Sequence, residues 1–180
     1  MRVATIIVTR SRSCHVKALH TVLRFNIQCM QKNVQNELMF VNDDPFIKSE
    51  KIQDCIKTHD RILFIDFGVS IDANALTKVL EPNDKYDIVV FPGVKEGIDW
   101  GMFAEKVKQA STEPVSQMGL HFDTNVGGSI DGDMYTVKST NPKAWVMMTR
   151  TTLKKIKDRR TSSFKIAPKS SVMFEKFKES

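Results

Sequence analysis

The chain has 180 residues, of which 41% are hydrophobic and 27% charged, and this composition fits one globular domain with a sizeable core. No apolar stretch approaches the roughly 20 residues that cross a bilayer, so we expect no transmembrane segment. The cysteines Cys14, Cys29 and Cys55 are odd in number and widely spaced. This spacing argues against a disulfide framework and predicts a reducing, cytoplasmic location.

The net charge of +6 is concentrated at the C-terminal end. Residues 150–180 carry ten Lys and Arg against three Asp and Glu, whereas the other 149 residues carry 17 basic and 18 acidic residues. We therefore expect one α/β domain over residues 1–160 and a basic segment over residues 161–180. Such a segment suits anionic partners. A solvated helix face explains the same charge, and nucleic acid is not favoured as a partner because few aromatic residues accompany the cations.

The first half of the chain alternates apolar strands with amphipathic helices. A β-branched run over residues 3–9 predicts a strand buried on both faces. The helix after it is predicted from an apolar stripe at spacings of three and four, formed by Val16, Leu19, Leu23, Ile27 and Met30. Further strands are predicted over residues 38–41, 61–66 and 86–91, and further helices over residues 47–56 and 74–80.

The second half is less regular. We expect a helix over residues 99–110, a long polar loop over residues 111–132, and strands over residues 134–137 and 144–148 that form a hairpin-like addition. A short basic helix is expected over residues 151–159. Together these patterns predict an α/β fold with a mostly parallel central sheet and helices on both faces.

Polar residues follow the predicted strands at the places where ligands of open α/β sheets bind. Arg10 and Arg12 leave the first strand just before a helix, where a phosphate would meet guanidinium donors and the helix N-terminus. Asp43 is suited to bind a base or ribose, or to cap the next helix. Asp66 is suited to hold a divalent cation, or to cap the following turn.

Two further acids lie in the second half, beside a glycine-rich stretch. Asp131 and Asp133 are spaced to bind a metal or to supply a general base, although a turn has the same sequence pattern. No glycine follows the first strand before residue 12, so the dinucleotide fingerprint and the P-loop are excluded there.

The order of these segments resembles nucleotide-sugar glycosyltransferases of the A-type fold, in particular the family-2-like members. The resemblance covers the first half of the chain, through residues 4–12 (ATIIVTRSR), 38–44 (LMFVNDD), 62–69 (ILFIDFGV) and 88–92 (IVVFP). It departs from the family pattern at Gly68, which stands where the family's Asp-x-Asp motif has its second acid. A short or degenerate viral member of the family would show this departure, and we would expect such a member in the host cytoplasm.

The resemblance implies an A-type fold with a Rossmann-like first half, and a transferase that moves a sugar from a nucleotide-diphospho-sugar to a glycan or protein acceptor. It implies that Thr9, Arg10 and Arg12 contact the nucleotide and Asp43 the base. It also implies that Asp66 contacts the ribose or a bound Mn²⁺ or Mg²⁺. Asp131 and Asp133 are the positional candidates for the catalytic base.

Two alternatives remain open from the sequence. One is a non-catalytic α/β module that binds a polyanion through its basic C-terminal segment. The other is a different phosphate-handling α/β enzyme, such as a nucleotidyltransferase.

Overall fold

The computed structural model describes residues 1–83, 85–95, 97–131 and 134–157, and for residues 131 and 155–157 it describes the backbone only. The described residues form seven strands and five helices. In chain order these are β1 (Arg2–Thr9), α1 (Val16–Gln31), β2 (Gln35–Asn42), α2 (Pro45–Thr58), β3 (Arg61–Ile65), α3 (Ala73–Leu80), β4 (Ile88–Val90), α4 (Trp100–Lys108), β5 (Thr124–Asp131), β6 (Met134–Thr140), β7 (Ala144–Met148) and α5 (Thr149–Lys157). The predicted basic segment over residues 161–180 lies outside the described residues.

The central sheet has five strands in the order β2-β1-β3-β7-β4. β1 pairs in parallel with both β2 and β3, whereas β7 is antiparallel to both β3 and β4. The prediction of a mostly parallel sheet with helices on both faces is therefore wrong: the sheet is mixed, and a second, purely antiparallel sheet accompanies it. Among the described helices, α4 contributes no buried residue.

The position of β7 explains the error. Its sequence, AWVMM, is buried at every position, and a continuous apolar run of this kind suits any central strand. We expected a hairpin-like addition, but the strand inserts between β3 and β4, where Trp145 stacks on Phe64 with ring centroids 5.1 Å apart. Burial alone does not distinguish a parallel neighbour from an antiparallel one, so the strand direction was not predictable from this segment.

The second sheet is a hairpin of β5 and β6, and part of it lies within the predicted loop over residues 111–132. One of the glycines that suggested a loop, Gly127, allows a close approach between the two strands, because a Cβ at this position would overlap Oγ1 of Thr136 on the neighbouring strand. The register shifts three times along this pairing, which weakens the period-two pattern by which a strand is recognised in sequence.

Two buried clusters form the core. One contains Val22 and Phe25 of α1 and Leu76 of α3 together with Ile7 and other sheet residues, and the other contains Ile52 and its neighbours on α2. The predicted helix over α1 is present, but its predicted buried face is wrong. Its buried residues are Ala18, Thr21, Val22, Phe25 and Cys29, whereas the apolar stripe named above is exposed.

The helix starts follow local side-chain chemistry. His15 caps α1 by accepting a hydrogen bond from the backbone N–H of Lys17, and Asp44 caps α2 by accepting from those of Phe46 and Ile47. Pro45 occupies the first turn of α2. A backbone N–H in this turn has no acceptor within the helix, so proline costs no hydrogen bond there. None of the described helices is long and apolar enough to span a bilayer.

Candidate functional site

The chain segments after β1, β2 and β3 lie at one edge of the central sheet, which we call the carboxyl edge. β1 is parallel to both neighbours, so Thr9 lies beside Asn42, and Ile7 lies beside Ile65 immediately before Asp66. β4 runs in the same direction as β3 because β7 is antiparallel to both. The structure therefore brings Arg10, which directly follows β1, to the same edge as Asp66.

An open cleft of about 430 Å³ lies at this edge, between the ends of β1 and β2. Four of the predicted nucleotide-contacting residues line it. Its lining consists of Thr9, Arg10, Ser11, Arg12, Asn42 and Asp43. Thr9 donates a hydrogen bond from its hydroxyl to the carbonyl of Val41, which ties the two strand ends together beneath the cleft.

Asp43 is the acid of the cleft, and two cations hold it. One carboxylate oxygen accepts a hydrogen bond from Nε of Arg10 at 2.8 Å, and the other accepts from Nζ of Lys48 at 2.7 Å. The Lys48 ammonium first, and then the Arg10 guanidinium, lower the pKa of the Asp43 carboxyl below its usual value. Asp43 is therefore an anion at neutral pH, and the cleft lining carries two cations, Arg10 and Arg12, against this one acid, which also pairs with Lys48 of α2.

A tight turn presents the two arginines. Ser11 and Arg12 have φ angles of 51° and 57°, in the left-handed region that non-glycine residues rarely occupy. The backbone N–H and C=O of Arg10 both bond to Ser13, and the Ser13 hydroxyl donates a further bond to the Arg10 carbonyl. Two consecutive left-handed residues without glycine cost folding free energy, and such strain concentrates at binding sites.

Asp66 lies next to the cleft and is half-buried rather than sealed in the core. Its carboxylate accepts a hydrogen bond from the backbone N–H of Phe67, and its own N–H donates to the carbonyl of Lys143. The Arg10 guanidinium lies 5.0 Å from the centre of the Phe67 ring, a cation–π distance. The loop after β3 is thus in direct contact with an arginine of the cleft.

At the Mn²⁺ or Mg²⁺ site that the resemblance implies, the described residues place the single acid Asp66, and a metal ion there stays a prediction. Within the described part of the chain, no group of three or more His, Cys, Asp or Glu side chains is placed to hold a metal ion. Gly68, at the position of the second acid, has a φ of 77°, where a side chain is strained. Asp72, the next acid along the chain, caps α3 by accepting from the N–H of Asn74.

Asp123 lies outside the cleft lining, beside the start of β5. One Asp123 carboxylate oxygen accepts from the N–H of Gly93 and the hydroxyl of Thr124, so this acid ties the segment after β4 to the base of the hairpin. The backbone of Asp131 is at the end of β5, and Asp133 lies outside the described residues. The catalytic role of Asp131 and Asp133 stays a prediction.

Two residues of the site were missed at the sequence level, Lys48 and Phe67. Lys48 lies in the first turns of α2, four residues after the capping Asp44. Residues four apart share a face of a helix, so a helix that begins at Pro45 places Lys48 close to the end of β2. Phe67 offered no comparable signal, because only the tertiary fold brings it beneath Arg10.

The chain was also compared with known proteins. No family model matches it, and neither the curated proteins nor the solved structures include a significant match to it.

Proposed function

We propose that the chain binds a nucleotide-diphospho-sugar at the carboxyl edge and transfers the sugar to a glycan or protein acceptor. The observation that carries this proposal is the open, cationic cleft between the ends of β1 and β2. The resemblance in the first half of the chain supports the nucleotide-sugar as the ligand, and the contacts within the cleft support the placement of its diphosphate.

The charge of the cleft supports a diphosphate ligand. Within the cleft lining, Arg10 and Arg12 exceed the acid Asp43 by one positive charge, and guanidinium groups bind phosphate oxygens through paired hydrogen bonds. With the diphosphate between Arg10 and Arg12, Lys48 continues to neutralise Asp43. The proposed diphosphate contacts use these side chains, and a Mn²⁺ or Mg²⁺ ion at Asp66 stays a prediction.

The remaining polar groups support recognition of the nucleoside. Asn42 ends β2 and Asp43 follows it, and both line the same cleft, so an amide and a carboxylate are available to a base or ribose. Asp66 is half-buried at the neighbouring strand end and has one carboxylate oxygen bonded to the N–H of Phe67. We assign Asp43 to the base and Asp66 to the ribose, as the resemblance implies.

Calorimetric titration of the full chain with uridine diphosphate tests the binding step. We expect saturable binding, and we expect Arg12→Ala to weaken it at least tenfold, since one charge-assisted hydrogen bond contributes about 1.5–3 kcal/mol. Arg24→Ala is the matched control, because Arg24 is an exposed arginine on α1 outside the cleft. Equal affinity for the wild type and the Arg12 variant would remove the cleft as the binding site.

Three further measurements distinguish the proposed function from the two alternatives, a polyanion-binding module and a nucleotidyltransferase. A chain ending at residue 157 retains α5 but lacks most of the C-terminal basic residues, so it should bind uridine diphosphate as well as the full chain does. Loss of polyanion binding in that shortened chain, with a steep salt dependence, would favour the polyanion-binding module. Tighter binding of nucleoside triphosphates would favour a nucleotidyltransferase, and a strict Mn²⁺ requirement would return Asp66 to the role of a metal ligand.

A further inference from the structure

Asp43 pairs with only one of the two arginines that line the cleft. Nε of Arg10 donates a hydrogen bond to Oδ2 of Asp43 at 2.8 Å, whereas no carboxylate of the described residues pairs with Arg12. A ligand with a single phosphate can therefore bind Arg12 and leave the Arg10–Asp43 pair intact. A diphosphate that lies between the two guanidinium groups must instead compete with Asp43 for Arg10.

The Arg10–Asp43 pair is placed to exchange partners. The Arg10 side chain is 56% exposed and the Asp43 side chain is 28% exposed, so water reaches both groups. Ion pairs in such positions contribute little free energy, because solvent screens the attraction. The Arg10 guanidinium also lies 5.0 Å from the centre of the Phe67 ring, a contact that holds it near the strand end when Asp43 releases it.

The exchange leaves Asp43 as an anion that needs a new donor. Nζ of Lys48 donates to Oδ1 at 2.7 Å, and Lys48 lies on α2 outside the cleft lining, so this bond persists when Arg10 moves. The Lys48 ammonium is also the larger cause of the lowered pKa of the Asp43 carboxyl, which therefore stays ionised at neutral pH. A carboxylate oxygen that has lost its donor beside a bound phosphate is unfavourable, because like charges repel.

We infer that Asp43 makes the cleft selective for nucleoside diphosphates over diphosphates that carry no nucleoside. This selectivity depends on the proposed function, since it concerns the same cleft. An N–H group of the base or a hydroxyl group of the ribose donates to Oδ2 in place of Arg10, and the guanidinium moves to the diphosphate. A diphosphate without a nucleoside offers no such donor, so it leaves Asp43 either unpaired or still holding Arg10.

Two neighbouring acids are not linked to phosphate binding in this way. The Asp44 carboxylate accepts from backbone N–H groups of α2, which a ligand does not displace. The Asp66 carboxylate accepts from the backbone N–H of Phe67 and has no cation paired with it among the described residues. Of the three acids only Asp43 holds an arginine of the cleft, so its removal should affect the diphosphate and the nucleoside differently.

Calorimetric titrations of the full chain with two ligands test this selectivity. Uridine diphosphate and methyl diphosphate carry the same diphosphate ester, and only uridine diphosphate carries a nucleoside. We expect the wild type to bind uridine diphosphate at least about tenfold tighter than methyl diphosphate, which is the difference that one hydrogen bond to a charged group supplies.

Asp43→Ala should move the two affinities in opposite directions. Methyl diphosphate should bind about two- to fivefold tighter, because a surface ion pair no longer holds Arg10. The preference for uridine diphosphate should fall at least about tenfold, because the acceptor for the nucleoside is lost, so uridine diphosphate itself should bind at least about twofold more weakly. A variant with a damaged fold would bind both ligands more weakly.

Two further variants complete the test. Asp43→Asn keeps the shape of the side chain and removes its charge, so it should also bind methyl diphosphate more tightly than the wild type does. Asp54→Asn is the matched control, because Asp54 is an exposed acid on α2 outside the cleft lining. The control should change both affinities by less than about 1.5-fold, since solvent screens a distant charge.

Two results would overturn the inference. One is methyl diphosphate binding that is no tighter in either Asp43 variant, and the other is an equal preference for uridine diphosphate in the wild type and Asp43→Ala. Both results leave the proposed function in place as long as uridine diphosphate binding depends on Arg12. A wild type that does not bind uridine diphosphate would instead remove the proposed function, and the selectivity with it.

Discussion

Asp43 and Asp44 are adjacent aspartates with different structural roles. The Asp44 carboxylate accepts hydrogen bonds from two backbone N–H groups and so begins α2, whereas the Asp43 carboxylate faces the cleft between Arg10 and Lys48. The sequence allowed both roles for this pair of acids and did not separate them. The separation comes from the backbone of β2, which continues to Asn42 and turns into the helix after Asp43.

The Asp43–Lys48 pair makes stability depend on pH. Because the folded-state pKa of Asp43 is lowered, the pair stabilises the fold above the usual aspartate pKa, and this contribution disappears as the pH falls through the folded-state value. A double-mutant cycle with Asp43→Asn and Lys48→Gln should give a coupling of about 0.5–1 kcal/mol at pH 7 and close to zero at about pH 2. Urea unfolding at both pH values measures it, and a coupling that stays the same at both would refute the ion pair.

The helices differ in how much of their structure the sequence predicts. α2 was predicted from Ile47, Ile52, Cys55 and Ile56, of which the last three are buried as expected, whereas Ile47 is 42% exposed and the helix begins two residues earlier, at Pro45. α1 has two apolar faces, and the stripe with the larger side chains is the exposed one. The small residues Ala18 and Cys29 on the other face allow the helix to lie close to the sheet. The spacing of apolar residues alone does not show which of two apolar faces packs in this way.

The cap of α2 can be tested separately from the cleft. Asp44→Ala removes the acceptor for the N–H groups of Phe46 and Ile47, so we expect a loss of about 1 kcal/mol in the free energy of unfolding. Uridine diphosphate affinity should remain within about twofold of the wild type, because Asp44 does not line the cleft.

Glu50→Ala, at an exposed position on the same helix, is the control and should change stability by less than about 0.5 kcal/mol. Equal unfolding midpoints for the Asp44 and Glu50 variants would show that the cap contributes nothing measurable.

At the scale of the whole molecule, the alternation of β1, α1, β2, α2 and β3 was predictable because each strand is a short apolar run bounded by polar residues. The alternation also predicted the carboxyl edge, because parallel strands joined by helices end on the same side. The sheet beyond β3 was not predictable, since the partner of β3 comes from about 80 residues later in the chain and runs the opposite way. The site is formed mainly by the predictable half.

The most direct test is a crystal structure of the full chain with uridine diphosphate bound. Our account predicts the diphosphate against the guanidinium groups of Arg10 and Arg12, with Asp43 within hydrogen-bonding distance of the uracil and Asp66 facing the ribose. A diphosphate bound away from the ends of β1 and β2, with Arg10 still paired to Asp43 across an empty cleft, would contradict it.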